Sequence, residues 1–347
     1  MNAGIASNGP FGSPYACVFT SCAIYHTPFP ILRLTKDDSE ERPIVTAVMG
    51  GGLSSEVSSL INLDFGNDQR SAFSQLIAHG QQVTLPAHQL CLGLTSDISH
   101  SLCCTNLAER MSNSIAIKCS AFIFKFENSE SPKIIGIIKN SLSCAFHRDG
   151  LWCLSQPEQE FEGCVSYISL NNISGFRGHK LSENISSDYS RNVVSPISVE
   201  AVKYDVASIF TEQGVMICDL RVKDLQWVYR MTDQLVSGAV CCGGEKIVLS
   251  SERDRAMVID VRMAQHVLYE ANLSFPVAWR SSREGDVAIA ISRRQVGILN
   301  VEKLEFWGAF ESSGGVLDAT IIREDKHSVR VLSSSADGCL EDWSIEF

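Results

Sequence analysis

Two short phrases set a histidine three residues ahead of a cysteine, His88-x-x-Cys91 and His100-x-x-Cys103, with Cys104 adjacent. Imidazole nitrogens and thiolates at such spacing could hold a tetrahedral zinc ion. The flanking residues favour a different use. Residues 89–94 and 101–104 read as β-strands, whose successive side chains point to opposite faces, so the potential ligands are scattered and cross-strand packing is the expected role. No metal or cofactor site is assigned. There is no Gly-x-x-x-x-Gly-Lys loop, no Gly-x-Ser-x-Gly elbow and no His-Glu-x-x-His helix, so no catalytic residue is assigned either and a non-enzymatic role is expected.

A second chemical phrase is Asp-x-Arg, which occurs as Asp219-Leu-Arg221 and Asp260-Val-Arg262. An aspartate here can cap a turn while the arginine pairs with it or with a neighbouring element; alternatively the arginine meets a partner. Each phrase closes a longer one, at 206–221 and 246–262, made of an apolar run, a polar turn and a second apolar run. Asp219 and Asp260 are 41 residues apart, the period of a four-stranded repeating unit. Weaker versions end at Asn300 and Ser344, keeping steps of 40 and 44 residues. Within a unit the apolar pieces are short and separated by Gly or charged turns, and Asp337-Gly338 is a hairpin signal.

These features resemble the WD-repeat β-propeller family, through Ser-Ala-Asp-Gly ahead of Trp343, Cys-Asp-Leu-Arg221 and Ile-Asp-Val-Arg262. The signature tryptophan survives only as Trp343, with Cys218, Ile259 and Leu299 in its place elsewhere. Gly178-His179 is the one Gly-His pair suitably placed, so the resemblance rests on period. Further third strands ending near Asn171, Glu127 and Asp64 bring the total to seven units. An all-β, seven-bladed propeller in a single domain over 1–347 is expected, with loop insertions at 65–85 and 174–190. The last unit shows three strands, and residues 15–25 are the segment suited to supply its outer strand and close the ring.

Two narrower resemblances name partners. In WD-repeat substrate receptors of cullin-type ubiquitin ligases, paired Asp-x-Arg motifs meet the ligase adaptor, which would make Arg221 and Arg262 contact residues. The stretch 28–62, with Gly50-Gly51-Gly52-Leu-Ser54-Ser-Glu56, resembles the first blade of the exchange factor for the small GTPase of COPII coats. There a glycine-rich loop reaches the GTPase and holds a cation, which would make Gly50, Gly51, Gly52, Ser54 and Glu56 partner-binding residues. Ser55, Val57 and Ser58 depart from that pattern, and a tight Gly-rich hairpin is the competing reading.

Composition narrows the classes. The chain of 347 residues is 45% hydrophobic, enough for a full core. Its net charge of −11 argues against a nucleic-acid surface and leans toward basic protein partners. Thirteen cysteines in no framework spacing read as core residues of a reducing compartment. No signal peptide and no apolar run of membrane-spanning length is apparent. The expectation is a protein-interaction scaffold in the cytoplasm or nucleus, a subunit or adaptor of a multi-subunit complex.

Overall fold

The structure is a computed structural model that describes residues 18–36, 44–50, 58–66, 72–85, 89–97, 101–110, 117–126, 133–147, 150–156, 162–173 and 187–347 apart from 204, 223, 264, 274, 276, 283 and 313. After β1 (Val18–His26), a first sheet consists of β2 (Ile31–Lys36), β3 (Ile44–Gly50), β4 (Ser58–Asp64) and β5 (Ile77–Leu85), with helix α1 (Phe73–Leu76) ahead of β5. The second holds β6 (Gln89–Asp97), β7 (Leu102–Arg110), β8 (Ile117–Lys125) and β9 (Lys133–Lys139). The third holds β10 (Ser141–His147), β11 (Gly150–Ser155), β12 (Glu162–Ser169) and β13 (Tyr189–Val194). The fourth holds β14 (Pro196–Lys203), β15 (Val206–Thr211), β16 (Gly214–Asp219) and β17 (Asp224–Arg230). The fifth holds β18 (Leu235–Cys241), β19 (Lys246–Ser251), β20 (Arg255–Asp260) and β21 (Val267–Asn272). The sixth holds β22 (Ala278–Ser281), β23 (Val287–Ile291), β24 (Gln295–Asn300) and β25 (Glu305–Glu311). The last combines β26 (Val316–Asp325), β27 (Ser328–Ser335) and β28 (Cys339–Glu346) with β1.

Seven four-stranded sheets, each an antiparallel meander in chain order, are the blades of a seven-bladed β-propeller. β1 lies antiparallel on β28, pairing Tyr25 with Leu340 and Cys22 with Trp343, so the outer strand of the last blade comes from the start of the chain as expected. Residues 15–17 of the expected closing segment lie outside the described residues. Residues 65–85 differ from the expectation of an inserted loop: they contain α1 and β5, the outer strand of the first blade. Polar residues at 79–82 interrupt the apolar alternation there, which hid the strand. The other expected loop, 174–190, ends earlier than expected, because β13 begins at Tyr189; residues 174–186 lie outside the described residues.

Close contacts group the chain into two compact units, β1 with Trp227–Phe347, and Leu32–Gln226 without residues 71–73; the boundary falls inside β17. Within each unit the blades stack through alternation. In β23, Val287, Ile289 and Ile291 pack toward β26–β28, whereas Ala288 and Ala290 pack toward β18–β20. Strands covered on both faces must be apolar at every position, so β23 reads Val-Ala-Ile-Ala-Ile and is buried throughout. Outer strands such as β13 and β17 meet water and alternate instead.

A second device joins neighbouring blades. The Thr95 hydroxyl accepts from the Phe146 N–H at 3.2 Å, Ser143 from Val199 at 3.3 Å, and Ser237 from Trp279 at 2.9 Å. In each case the first strand of one blade receives an N–H from the first strand of the next. Ser143 and Ser237 sit at register shifts of β10 and β18; a bulge re-aims a side chain out of the ladder, and here it frees the hydroxyl for the neighbouring blade.

Candidate interaction site

The two Asp-x-Arg phrases fold into the same corner of their own blades. Asp219 ends β16, and its Oδ1 accepts the Arg221 N–H at 2.9 Å, which caps the turn. The Arg221 guanidinium then returns to the same carboxylate, Nε to Oδ1 at 3.0 Å and Nη2 to Oδ2 at 2.7 Å, and meets Asp205 at 2.7 Å. Asp260 ends β20 and repeats this: 2.8 Å to the Arg262 N–H, then 3.1 and 3.0 Å to its guanidinium, with Glu245 at 3.3 Å. Both arginine side chains remain largely exposed, 70% for Arg221 and 63% for Arg262. Hydrogen bonds from the arginines hold the Asp219 and Asp260 carboxyls below the ordinary carboxylate range. The capping and pairing roles are therefore fulfilled together, and they leave the outer edge of each guanidinium facing water.

The residue after each arginine is an element the sequence reading missed. Val222 is 52% exposed and Met263 51% exposed, so each corner presents a pre-oriented cation beside an apolar side chain. The only sequence signal was an apolar residue at the same offset in both units. At the equivalent corner after β24, Asn300 caps the turn by accepting the Lys303 N–H at 2.5 Å, but Glu302 and Lys303 stand where the other two corners have the arginine and the apolar residue.

A pocket of about 660 Å³ opens between the sixth and last blades. Its carboxylates are Glu284, Asp286, Glu302, Glu324 and Asp325, against the amines of Lys303 and Lys326. Trp307 and Phe347 form one wall with ring centroids 3.6 Å apart. Glu324 is held by the Asp286 N–H at 2.7 Å. The excess of carboxylates suits a basic ligand, whose aliphatic stem would lie against the rings.

The remaining candidates fall apart or lie elsewhere. Cys103 packs with Cys91, Val48 and Leu60, while Cys104 faces the opposite blade with Ile123 and Leu151; strand alternation separates the thiols. His88 and His100 lie outside the described residues, and among the described residues no group of three His, Cys, Asp or Glu side chains could hold a metal. Gly50 ends β3 opposite Ser58 with φ of 73°, a conformation that favours glycine. Gly51, Gly52, Ser54 and Glu56 lie outside the described residues.

The class these observations define is a seven-bladed β-propeller, a fold that commonly serves as a protein-interaction platform. No family model matches the chain, and no curated protein matches it. Among the described residues no helix is long and apolar enough to cross a membrane.

Proposed function

We propose that this chain is a non-enzymatic protein-interaction scaffold of WD-repeat type, working inside the cell as a subunit or adaptor of a larger complex. The observation that supports this reading is the repeated corner, Arg221 beside Val222 and Arg262 beside Met263. A planar guanidinium already held by a carboxylate loses little freedom when a partner's carbonyl or carboxylate takes its free donors. An adjacent exposed apolar residue adds area that binding removes from water, and arginine is among the residues enriched at interface hot spots. The acidic pocket supports a preference for partners that also carry a basic segment. A substrate receptor of a cullin-type ligase is the narrower version of the same reading, since it would use the same two arginines. The exchange-factor reading rests on the resemblance of residues 28–62, of whose glycine-rich loop only Gly50 lies among the described residues.

The test is purification of the tagged full chain with its native partners, compared with an Arg221→Ala/Arg262→Ala double variant whose melting temperature is measured in parallel. Loss of stoichiometric partners from a variant that melts like the parent supports the proposal. An unchanged set of partners overturns the role of the corners, and recovery of no stoichiometric protein by the parent chain overturns the scaffold reading.

A further inference from the structure

The core between the second and third blades, which includes Cys104, Cys144 and Cys153, holds a thiol cluster that the proposed function does not use. Cys144 on β10 and Cys153 on β11 are directly opposite in the antiparallel pairing, and their Sγ atoms are 3.4 Å apart. Ser141 Oγ lies 3.3 Å from Cys144 Sγ, and Asn106 Nδ2 reaches the same sulfur at 3.8 Å while donating to Ser141 Oγ at 2.9 Å. Cys104 completes the set from β7. A purely apolar core position would not surround one sulfur with a carboxamide, a hydroxyl and two thiols.

We propose that Cys144 and Cys153 form an oxidisable dithiol, in which a hydroperoxide oxidises Cys144 and Cys153 resolves it to a cross-strand disulfide joining β10 to β11. Three features assign the roles. Cys144, and not Cys153, is the sulfur that both Ser141 Oγ and Asn106 Nδ2 approach, so its thiolate is the one the surrounding donors can stabilise. Burial pushes the Cys144 thiol up, but hydrogen bonds from Cys104, Cys153, Ser141 and Asn106 outweigh it and bring its pKa well below the usual thiol value. Burial and the hydrogen bond to Cys144 push Cys153 well up. The nucleophile and the resolving thiol are thereby distinguished.

The chemistry balances. The Cys144 thiolate attacks one peroxide oxygen, the O–O bond breaks, and the departing hydroxide takes up a proton, leaving Cys144 as a sulfenic acid and one water. Cys153 sulfur then attacks Cys144 Sγ; its proton leaves with the hydroxyl as a second water while the S–S bond forms. Two thiols and hydrogen peroxide give one disulfide and two waters. The sulfurs must close from 3.4 Å to about 2.0 Å, and directly opposed residues of an antiparallel pair, with Cα atoms roughly 4.5–5.5 Å apart, fall within the range of natural disulfides.

The experiment treats the reduced, desalted full chain with limiting hydrogen peroxide, blocks remaining thiols by alkylation, and maps the cysteines by mass spectrometry. Trypsin cuts after Arg148, between the two cysteines, and a glutamate-specific protease separates Cys153 from Cys164. The expected result is a linked peptide pair joining Cys144 to Cys153, lost on reduction, that forms at oxidant levels no higher than those modifying exposed Cys22. In Cys153→Ser, dimedone should label Cys144 as a trapped sulfenic acid. The proposal is overturned if Cys144 remains a thiol after Cys22 is oxidised, if Cys144 links to Cys104 instead, or if dimedone labels another cysteine first. Should Cys153→Ser not fold, the linkage map of the parent chain decides alone.

Discussion

Arg262 holds Asp260 through two parallel hydrogen bonds, Nε to Oδ1 at 3.1 Å and Nη2 to Oδ2 at 3.0 Å, while Asp260 also caps the turn that carries Arg262. The aspartate belongs to the fold and the arginine, mostly in water, is available for other work. This separation makes the two residues experimentally distinguishable.

Removing Asp260 should cost more stability than removing Arg262. Asp260→Asn loses the ion pair and weakens the cap, at a cost of about 1 kcal/mol, whereas Arg262→Ala loses the same pair but keeps the cap and should cost less. The pH dependence carries a sign. The folded pKa of Asp260 is depressed, so its contribution is present above the unfolded value near 4 and is lost as pH falls through the folded value. Urea titrations should therefore separate Asp260→Asn from the parent at pH 7 and bring the two together under acid conditions; a constant gap would contradict the assignment.

Ser237→Ala should destabilise by about 1–3 kcal/mol, because the Trp279 N–H loses its acceptor inside a buried blade contact. Ser198→Ala, on the first strand of the fourth blade, serves as the comparison. Equal urea midpoints for Ser237→Ala and the parent would show that the hydroxyl contributes nothing.

Ile289→Ala should cost about 2–5 kcal/mol, since Ile289 is fully buried among Ile298, Ile321 and Val331. Ala288→Leu, on the opposite face of the same strand, should cost about 1–3 kcal/mol through overpacking against Leu299 and Trp279. Equilibrium unfolding followed by tryptophan fluorescence reads both.

Gly338 adopts φ of 81° in the turn between β27 and β28, and a Cβ there would approach the Thr27 carbonyl oxygen at 3.3 Å. Gly338→Ala should destabilise by about 1–2 kcal/mol through the left-handed backbone alone. The same turn receives the Thr27 N–H on the Gly338 carbonyl at 2.8 Å, so β1 should become more sensitive to limited proteolysis. Deleting residues 1–26 is the stronger perturbation: it bares the edge of β28, and light scattering should show oligomers or aggregates where the full chain shows none of that origin.

Much of the architecture was legible in the chain because the repeating unit writes its own period. The runs ending at Asp219, Asp260 and Asn300 became β16, β20 and β24, since a strand buried on both faces needs an unbroken apolar run that polar turns then delimit. Where polar residues broke the run, as at 79–82 in β5, the strand was read as a loop. The site was legible only in part. Asp219, Arg221, Asp260 and Arg262 announced themselves by repetition, but Val222 and Met263 carry no motif, and their exposure depends on how each turn is held.

By itself the sequence determined the number of units, the strand periodicity, the Asp-x-Arg corners and the segment that completes the last blade, all of which follow from local alternation and turn chemistry. Only the tertiary structure decided which side chains meet across blades. Ser237 reaching Trp279, carboxylates of two blades lining one pocket, and Cys144 opposing Cys153 beside Asn106 join residues from different strands or blades. Such encounters are set by blade stacking and strand register, which no single stretch of chain encodes, because a shift of one residue would turn every side chain to the opposite face.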